Sequence, residues 1–279
     1  MSERDWDLFR SLERSPLTVR QILKLSSTFA YPFTDERRVQ ERMQLLEAAG
    51  RVRRWQYATA GCGALAYFTL SPLGYRILHE LEVSPPKLRC CRPVGVARQA
   101  HTRTLADVIV HMLVAAHEHD VAIVAFHREN TCRLAVGDAH LYPDNAIVLQ
   151  PPASERTFTY FVELDNCTES IRSTGTMDSW QRKVQFYERY QDQHEERFRV
   201  LTFTTGGTQR LRNMLQCADE HARLPERSLV YGACCEDFLA AEDPLRAPCF
   251  DDHRGQSVSL LPRIGRQSKR IVLSGAIPT

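Results

Sequence analysis

The chemistry available to this chain is concentrated in three acids and one lysine. Asp144 stands in Tyr142-Pro143-Asp144-Asn145-Ala146. Glu163 and Asp165 close the apolar run Tyr160-Phe161-Val162-Glu163-Leu164-Asp165. Lys183 follows in Trp180-Gln181-Arg182-Lys183-Val184-Gln185-Phe186-Tyr187. The apolar run reads as a strand, and its period of two puts Glu163 and Asp165 on one side of a sheet. A carboxylate late in a buried strand must be ion-paired, metal-bound or at the sheet's edge. A structural pairing, for example Lys183 with Glu163, and a working site are both open readings.

A second group is basic. Arg37, Arg38 and Arg42 fall on one helical stretch, and Arg51, Arg53 and Arg54 on the strand-like stretch after it. Arginine pairs bidentately with guanine and also neutralises phosphate, so these six are candidate contacts to double-stranded DNA. A solvated charged face on a protein-protein module is the competing reading. The remaining candidates are plain by comparison. Thr204-Thr205-Gly206-Gly207-Thr208 lacks the Lys-Ser/Thr of a phosphate loop, so no nucleotide cofactor is expected. The nine cysteines include the adjacent pairs Cys90-Cys91 and Cys234-Cys235 but no Cys-x-x-Cys, so no zinc is expected. His111 and His117 miss the spacing of a helical metal pair, and Cys167 has no nucleophile motif.

These residues need elements to hold them. Asp5 to Arg14 reads as a helix with Trp6, Leu8, Phe9 and Leu12 as its apolar stripe. Ser15-Pro16 ends it. Thr18 caps a second helix, Val19 to Leu25. Thr34 is expected to cap a third, which runs to about Ala49 with Val39, Met43, Leu45, Leu46 and Ala49 inward. Gly50 stops it. Residues 51–57 and 65–70 alternate as two strands around an Ala60-Gly61-Cys62-Gly63 turn. Ser71 and Pro72 open a closing helix. Three helices, a hairpin and a helix make the order of a winged helix-turn-helix, whose third helix enters the major groove.

Residues 83–100 are proline-rich and basic and read as a linker. Beyond it, Thr102–His119 is expected as a helix. Strands are expected at Val121–Phe126, Cys132–Val136, Leu141–Leu149 and Thr157–Asp165. A helix at Asp178–Gln193, a strand at Phe198–Thr204, a helix at Gln209–Arg223 and a last strand at Ser228–Tyr231 complete the pattern. The fold class is therefore α/β, or α+β overall, with a mixed-sheet second domain. The expected division is 1–82, a linker 83–100, 101–256, and a basic tail 257–279 carrying Arg263, Arg266, Lys269 and Arg270.

The 279 residues suit one large or two ordinary domains. The net charge is only +2, so any DNA-binding patch is local. No apolar run is long enough for a membrane span, and the acidic, polar N-terminus argues against a signal peptide. The expectation is a cytoplasmic protein with no membrane partner.

Pro143-Asp144, an apolar strand, then Glu163-Leu164-Asp165 is similar to the core of the PD-(D/E)XK nuclease superfamily. That resemblance implies a restriction-endonuclease-like second domain in which Asp144 and Glu163 hold Mg2+ or Mn2+. The ion activates water and stabilises charge on phosphate. Asp165 occupies the motif lysine's position, so Lys183 would supply the positive charge from the following helix. Asp165 would be a further ligand or a mark of lost activity. Glu118 resembles the superfamily's helix acid.

The chain from Asp5 to Thr205 also resembles the bacterial replication-relaxation family. The resemblance rests on Leu17-Thr18-Val19-Arg20-Gln21-Ile22, Leu45-Leu46-Glu47-Ala48-Ala49-Gly50-Arg51-Val52, Tyr67-Phe68-Thr69-Leu70-Ser71-Pro72-Leu73-Gly74, Pro143-Asp144, Phe161-Val162-Glu163-Leu164-Asp165, and Lys183 with Tyr187. It implies a DNA-binding accessory protein of plasmid or mobile-element replication, relaxation or mobilisation. Relaxase or replication proteins and a second copy of the chain are the implied partners. The alternatives are an active magnesium-dependent endonuclease, in which Asp144, Glu163, Asp165 and Lys183 are catalytic, and a winged-helix transcriptional regulator.

Overall fold

Helix α1 (Glu3–Arg14) buries Leu8, Phe9 and Leu12 of the expected stripe, while Trp6 is half-buried. The computed structural model describes residues 1–58, 65–80, 88–173 and 179–262. A two-residue strand, β1 (Leu17–Thr18), leads into α2 (Val19–Leu25). Thr18 Oγ1 accepts from the Gln21 N–H, and the Thr18 N–H donates to Gln21 Oε1, a reciprocal cap.

Helix α3 (Glu36–Ala48) is capped by Asp35, not Thr34. The Asp35 carboxylate accepts from the Arg38 N–H at 3.0 Å, while the Thr34 hydroxyl donates to Asp35. Val39, Met43 and Leu46 are its buried face. Leu45 is 62% exposed, against expectation. It lies about 200° around the helix from Met43, so it cannot share that face.

Strands β2 (Val52–Gln56) and β3 (Ala66–Leu70) pair antiparallel, and β1 adds to β3. The expected turn at 60–63 lies outside the described residues. Helix α4 (Pro72–His79) starts at Ser71, whose Oγ accepts from the Gly74 N–H. Gly74 is required by packing: a Cβ there would stand 2.0 Å from the Arg51 carbonyl oxygen.

Of the linker stretch, residues 88–100 are described, with 3-10 turns at Leu88–Cys91 and Val96–Arg98. Helix α5 (Gln99–Glu118) starts three residues before the expected Thr102 and is buried on most of its circumference. It packs against α2, where Gln21 Nε2 donates to Asp107 Oδ1 at 2.8 Å and to the Arg103 carbonyl. One apolar cluster accordingly runs from Leu8 through Leu105 and Leu113 to Leu201 and Leu261.

The remaining elements are β4 (Ala122–His127), β5 (Leu134–Val136), β6 (Ala139–Leu141), β7 (Asn145–Gln150), β8 (Phe158–Asp165), α6 (Trp180–Gln193), β9 (Phe198–Thr204), α7 (Gly207–Glu220), β10 (Val230–Cys234), α8 (Cys235–Ala240), β11 (Phe250–Asp252) and β12 (Ser257–Val258). The sheet order is β12-β11-β10-β9-β8-β7-β4. β8, β9 and β10 run parallel, and the other pairings are antiparallel. Val162, Leu164, Leu201 and Phe203 face α5 and α8, while Phe161 and Val200 face α6 and α7. The chain is a mixed α+β protein.

Three expectations need correction. The strand expected over 141–149 is two strands, because Pro143 has no N–H for a ladder and the chain turns between Leu141 and Asn145. Ser228–Tyr231 is not the last strand: β10 runs on to Cys234, and α8, β11 and β12 follow. Residues 257–262 are not a loose tail. β12 pairs with β11, Leu260 and Leu261 are buried, and the Tyr160 O–H donates to the Leu260 carbonyl at 2.5 Å. Asp178 and the basic residues Arg263, Arg266, Lys269 and Arg270 lie outside the described residues.

Candidate functional site

The turn at Pro143 brings Asp144 to the start of β7. Asn145 pairs with Val162, so Asp144 stands opposite Glu163, one step further along the same register. Asp144 Oδ2 accepts from the Leu164 N–H at 2.9 Å. Its Oδ1 lies 3.1 Å from His101 Nε2 and 4.0 Å from Arg98 Nη2. The His101 ring is near enough for an ion pair but not aligned for a hydrogen bond, and its Nε2 is otherwise buried without a partner.

Glu163 is 3% exposed and points into the layer formed by α6. Ser179 caps that helix, and Lys183 and Tyr187 project from successive turns of it. Lys183 Nζ donates to Glu163 Oε2 at 3.0 Å, and the Tyr187 O–H donates to Glu163 Oε1 at 2.6 Å. Lys183 Nζ also lies 3.1 Å from Glu169 Oε2.

Asp165 shares the sheet face of Glu163, as its period predicts, but belongs to a neighbouring cluster. Arg210 of α7 grips it with Nε at 2.5 Å and Nη2 at 2.7 Å, and the Thr204 hydroxyl donates to it at 2.7 Å. Arg210 also donates to the Glu169 carbonyl. Glu118 stands at the far end of α5 from His101, about 25 Å away along the axis, and takes no part.

The protonation energetics follow from this geometry. Burial works against the charge on Asp144, but the His101 contact, the Lys183 charge and the Leu164 N–H together hold its carboxyl below the usual range. Glu163 goes the other way: burial outweighs Lys183, and the charge of Asp144 adds to it, so its carboxyl titrates above the usual range. Burial disfavours the Lys183 ammonium, yet Glu163, Glu169 and Asp144 raise its affinity for the proton overall. Burial and the Glu163 charge push the Tyr187 hydroxyl well upward.

Asp144 and Glu163 are the two side chains that would hold a divalent ion. Among the described residues no group of three or more His, Cys, Asp or Glu side chains converges on one point. Both Glu163 oxygens already accept hydrogen bonds, and an ammonium rather than an open position faces Oε2. As it stands, Glu163 is paired with the Lys183 ammonium and Asp144 stands against the His101 ring.

The arginines divide. Arg37 and Arg38 are exposed on α3 and share Glu41, at 2.8 and 3.1 Å. Arg42 is held by the buried Asp5 of α1 through Nε at 2.7 Å and Nη2 at 2.5 Å. Arg53 and Arg54 are exposed on β2, and Arg51 is half-buried just before it. With Arg76 of α4, Arg53 and Arg54 line a shallow groove beside Glu47 and Trp55. Arg53 Nη1 also donates to the Cys91 carbonyl.

Sequence reasoning missed His101, Arg98 and Arg210. No local spacing connects them to the acids. Tyr187 was visible one helical turn after Lys183, but its bond to Glu163 was not.

A helical and hairpin unit packed through α5 onto a mixed sheet, with a buried acid, lysine and histidine cluster at the β7/β8 end, defines the class of protein. The replication-relaxation family model matches residues 9–202, from within α1 into β9 and including Asp144, Glu163, Asp165 and Lys183, and the chain belongs to that family. No curated protein matches the chain. No solved structure matches it.

Proposed function

We propose that this chain is a double-stranded-DNA-binding accessory protein of plasmid or mobile-element replication, relaxation or mobilisation. In this reading the N-terminal unit is a winged helix, with α3 in the major groove and the β2/β3 hairpin along the backbone. The observation that carries it is the pairing of exposed Arg37 and Arg38 on α3 with exposed Arg53 and Arg54 on the adjacent hairpin. Their ion pairs with Glu41 are at the surface and cost little to exchange for phosphate. The sheet domain is nuclease-like and inactive, because His101 and Lys183 already balance the acids. It offers contacts to relaxase, replication proteins or a second copy. Replacing Arg37, Arg38, Arg53 and Arg54 with alanine together should weaken duplex binding and flatten its salt dependence. An unchanged affinity and slope would defeat the reading.

One observation favours a second reading, an active Mg2+- or Mn2+-dependent DNA endonuclease. Asp144 and Glu163 face each other across β7 and β8, with Lys183 on Glu163. Supercoiled plasmid nicked in the presence of either metal by the native chain, but not by Glu163→Gln, would support it. No nicking with either metal would leave the first reading standing.

A further inference from the structure

A cavity of about 220 Å³ lies where the C-terminal end of α1, residues 90–98, α5 and the loop after β4 meet. Leu12, Pro16, Leu105 and Ile109 contribute an apolar floor. Four arginines, Arg14, Arg92, Arg98 and Arg128, line it from three separate stretches of chain. Among the described lining residues the carboxylates are Glu13 and Glu129, and both are engaged: Glu129 lies 2.5 Å from Arg98, and Glu13 lies 2.5 Å from His79. The Cys90 thiol also lines the cavity, and Cys91 and Arg128 lower its pKa, so the four arginines still outnumber the acidic groups. Arg14 is packed over the Phe126 ring at 5.4 Å, and Arg128 donates to the Glu13 carbonyl oxygen. The cavity is therefore positively charged around an apolar base.

We infer that this cavity binds a small phosphate monoester, with the phosphate taken by the arginines and the organic body resting on the Leu12, Leu105 and Ile109 surface. Guanidinium groups bind phosphate oxygens in parallel pairs, and a phosphate is a stronger acceptor than the carbonyl that Arg128 now meets. The volume lies below the roughly 300–1,000 Å³ of pockets for drug-sized ligands, so duplex DNA does not fit. Two sources supply this chemistry: a free nucleoside monophosphate, and the 5′-phosphate end of a DNA strand. The ligand would touch α1 and α5 together. It would also compete with Glu129 for Arg98, whose Nη2 is 4.0 Å from Asp144.

The test is calorimetric titration of the full chain with adenosine 5′-monophosphate, with adenosine, and with a tetranucleotide carrying either a 5′-phosphate or a 5′-hydroxyl. The expected result is that phosphate-bearing probes bind and their unphosphorylated counterparts do not. Arg92→Gln and Arg128→Gln should each weaken binding by about tenfold, the scale of one charge-assisted phosphate contact. Binding of adenosine 5′-monophosphate as tight as that of the phosphorylated tetranucleotide assigns a free nucleotide; binding of the tetranucleotide alone assigns a DNA end. Arg92 is exposed, so its replacement leaves the fold intact, which a thermal melt verifies. No binding of either phosphorylated probe at about 1 mM overturns the inference. So does binding that persists unchanged in an Arg92→Gln/Arg128→Gln double variant.

Discussion

Asp144 and Glu163 stand opposite each other across β7 and β8, yet each meets a different basic side chain, Asp144 that of His101 from α5 and Glu163 that of Lys183 from α6. Two buried carboxylates at neighbouring register positions would repel each other without this division. The cluster links the two helical layers to the sheet at one end, whatever else it does.

Lys183→Met should therefore destabilise the protein strongly. It leaves Glu163 buried beside Asp144 with no cation, and removing one partner of a buried pair costs about 3–5 kcal/mol. Adding Glu163→Gln to that variant should recover part of the loss, read as a coupling energy from urea unfolding of the four-member cycle. A loss in the double variant equal to the sum of the two single losses would show that the pair is not coupled. If the acids hold a divalent ion, added Mg2+ should stabilise Lys183→Met more than the native chain.

His101 gives a pH signature. Burial alone would lower its proton affinity, but the Asp144 contact and the charges of Asp144 and Glu129 raise it overall. A histidine whose folded pKa is raised contributes stability that is fully present below the unfolded value of about 6.5 and is lost as pH rises through the folded value. Unfolding free energy should thus decline on going from about pH 6 toward alkaline conditions. His101→Gln should remove that slope, and so should Asp144→Asn, which takes away the counter-charge. A slope surviving in both variants would assign it elsewhere.

Most helices and strands were legible because their signals are local. Thr18, Ser71 and Pro72 announce helix starts, and Tyr160 to Asp165 alternates cleanly between two buried faces. What was not legible depends on distant partners. Asp35 outcompetes Thr34 as a cap through a one-residue difference in reach. β11 and β12, of three and two residues, exist by the pairing of β11 with β10 and of β12 with β11, and are too short to show a period. At the site, the acids and Lys183 were visible as residue types at telling positions. His101 was invisible because α5 delivers it from outside any motif.

Arg42 illustrates the same limit and separates stability from DNA reading. By spacing it belongs with Arg37 and Arg38, but its guanidinium is spent on Asp5, which is fully buried. Arg42→Ala should cost on the order of 2–3 kcal/mol in unfolding free energy, the range for a charge-assisted hydrogen bond left unmade. Arg54→Ala, on an exposed strand position, should leave stability within about 0.5 kcal/mol and act instead on duplex affinity and its salt slope. Parallel chemical denaturation and duplex titration of the two variants check both halves.

The contact between α2 and α5 should loosen in acid. His111 Nδ1 accepts a hydrogen bond from Lys24 Nζ, 2.9 Å away, and its Nε2–H donates to the Ala241 carbonyl at 3.0 Å, so the ring fits as the neutral tautomer protonated on Nε2. Burial and the Lys24 charge both lower its proton affinity, against the smaller pull of the Ala241 and Phe238 carbonyls and Glu118. A histidine depressed in this way contributes stability present above about pH 6.5, and that stability is lost as pH falls through its folded value. The sign is opposite to that of His101, ten residues earlier on the same helix. A second proton on His111 would set two cations face to face between α2 and α5, so at pH 5 the protection of amides against exchange, relative to their intrinsic rates, should fall first in Val19–Leu25 and the middle of α5. In Lys24→Met the repulsion is gone, and the acid-induced loss of protection should shrink. If both helices open equally at neutral and acid pH, or if Lys24→Met changes nothing, His111 does not control this junction.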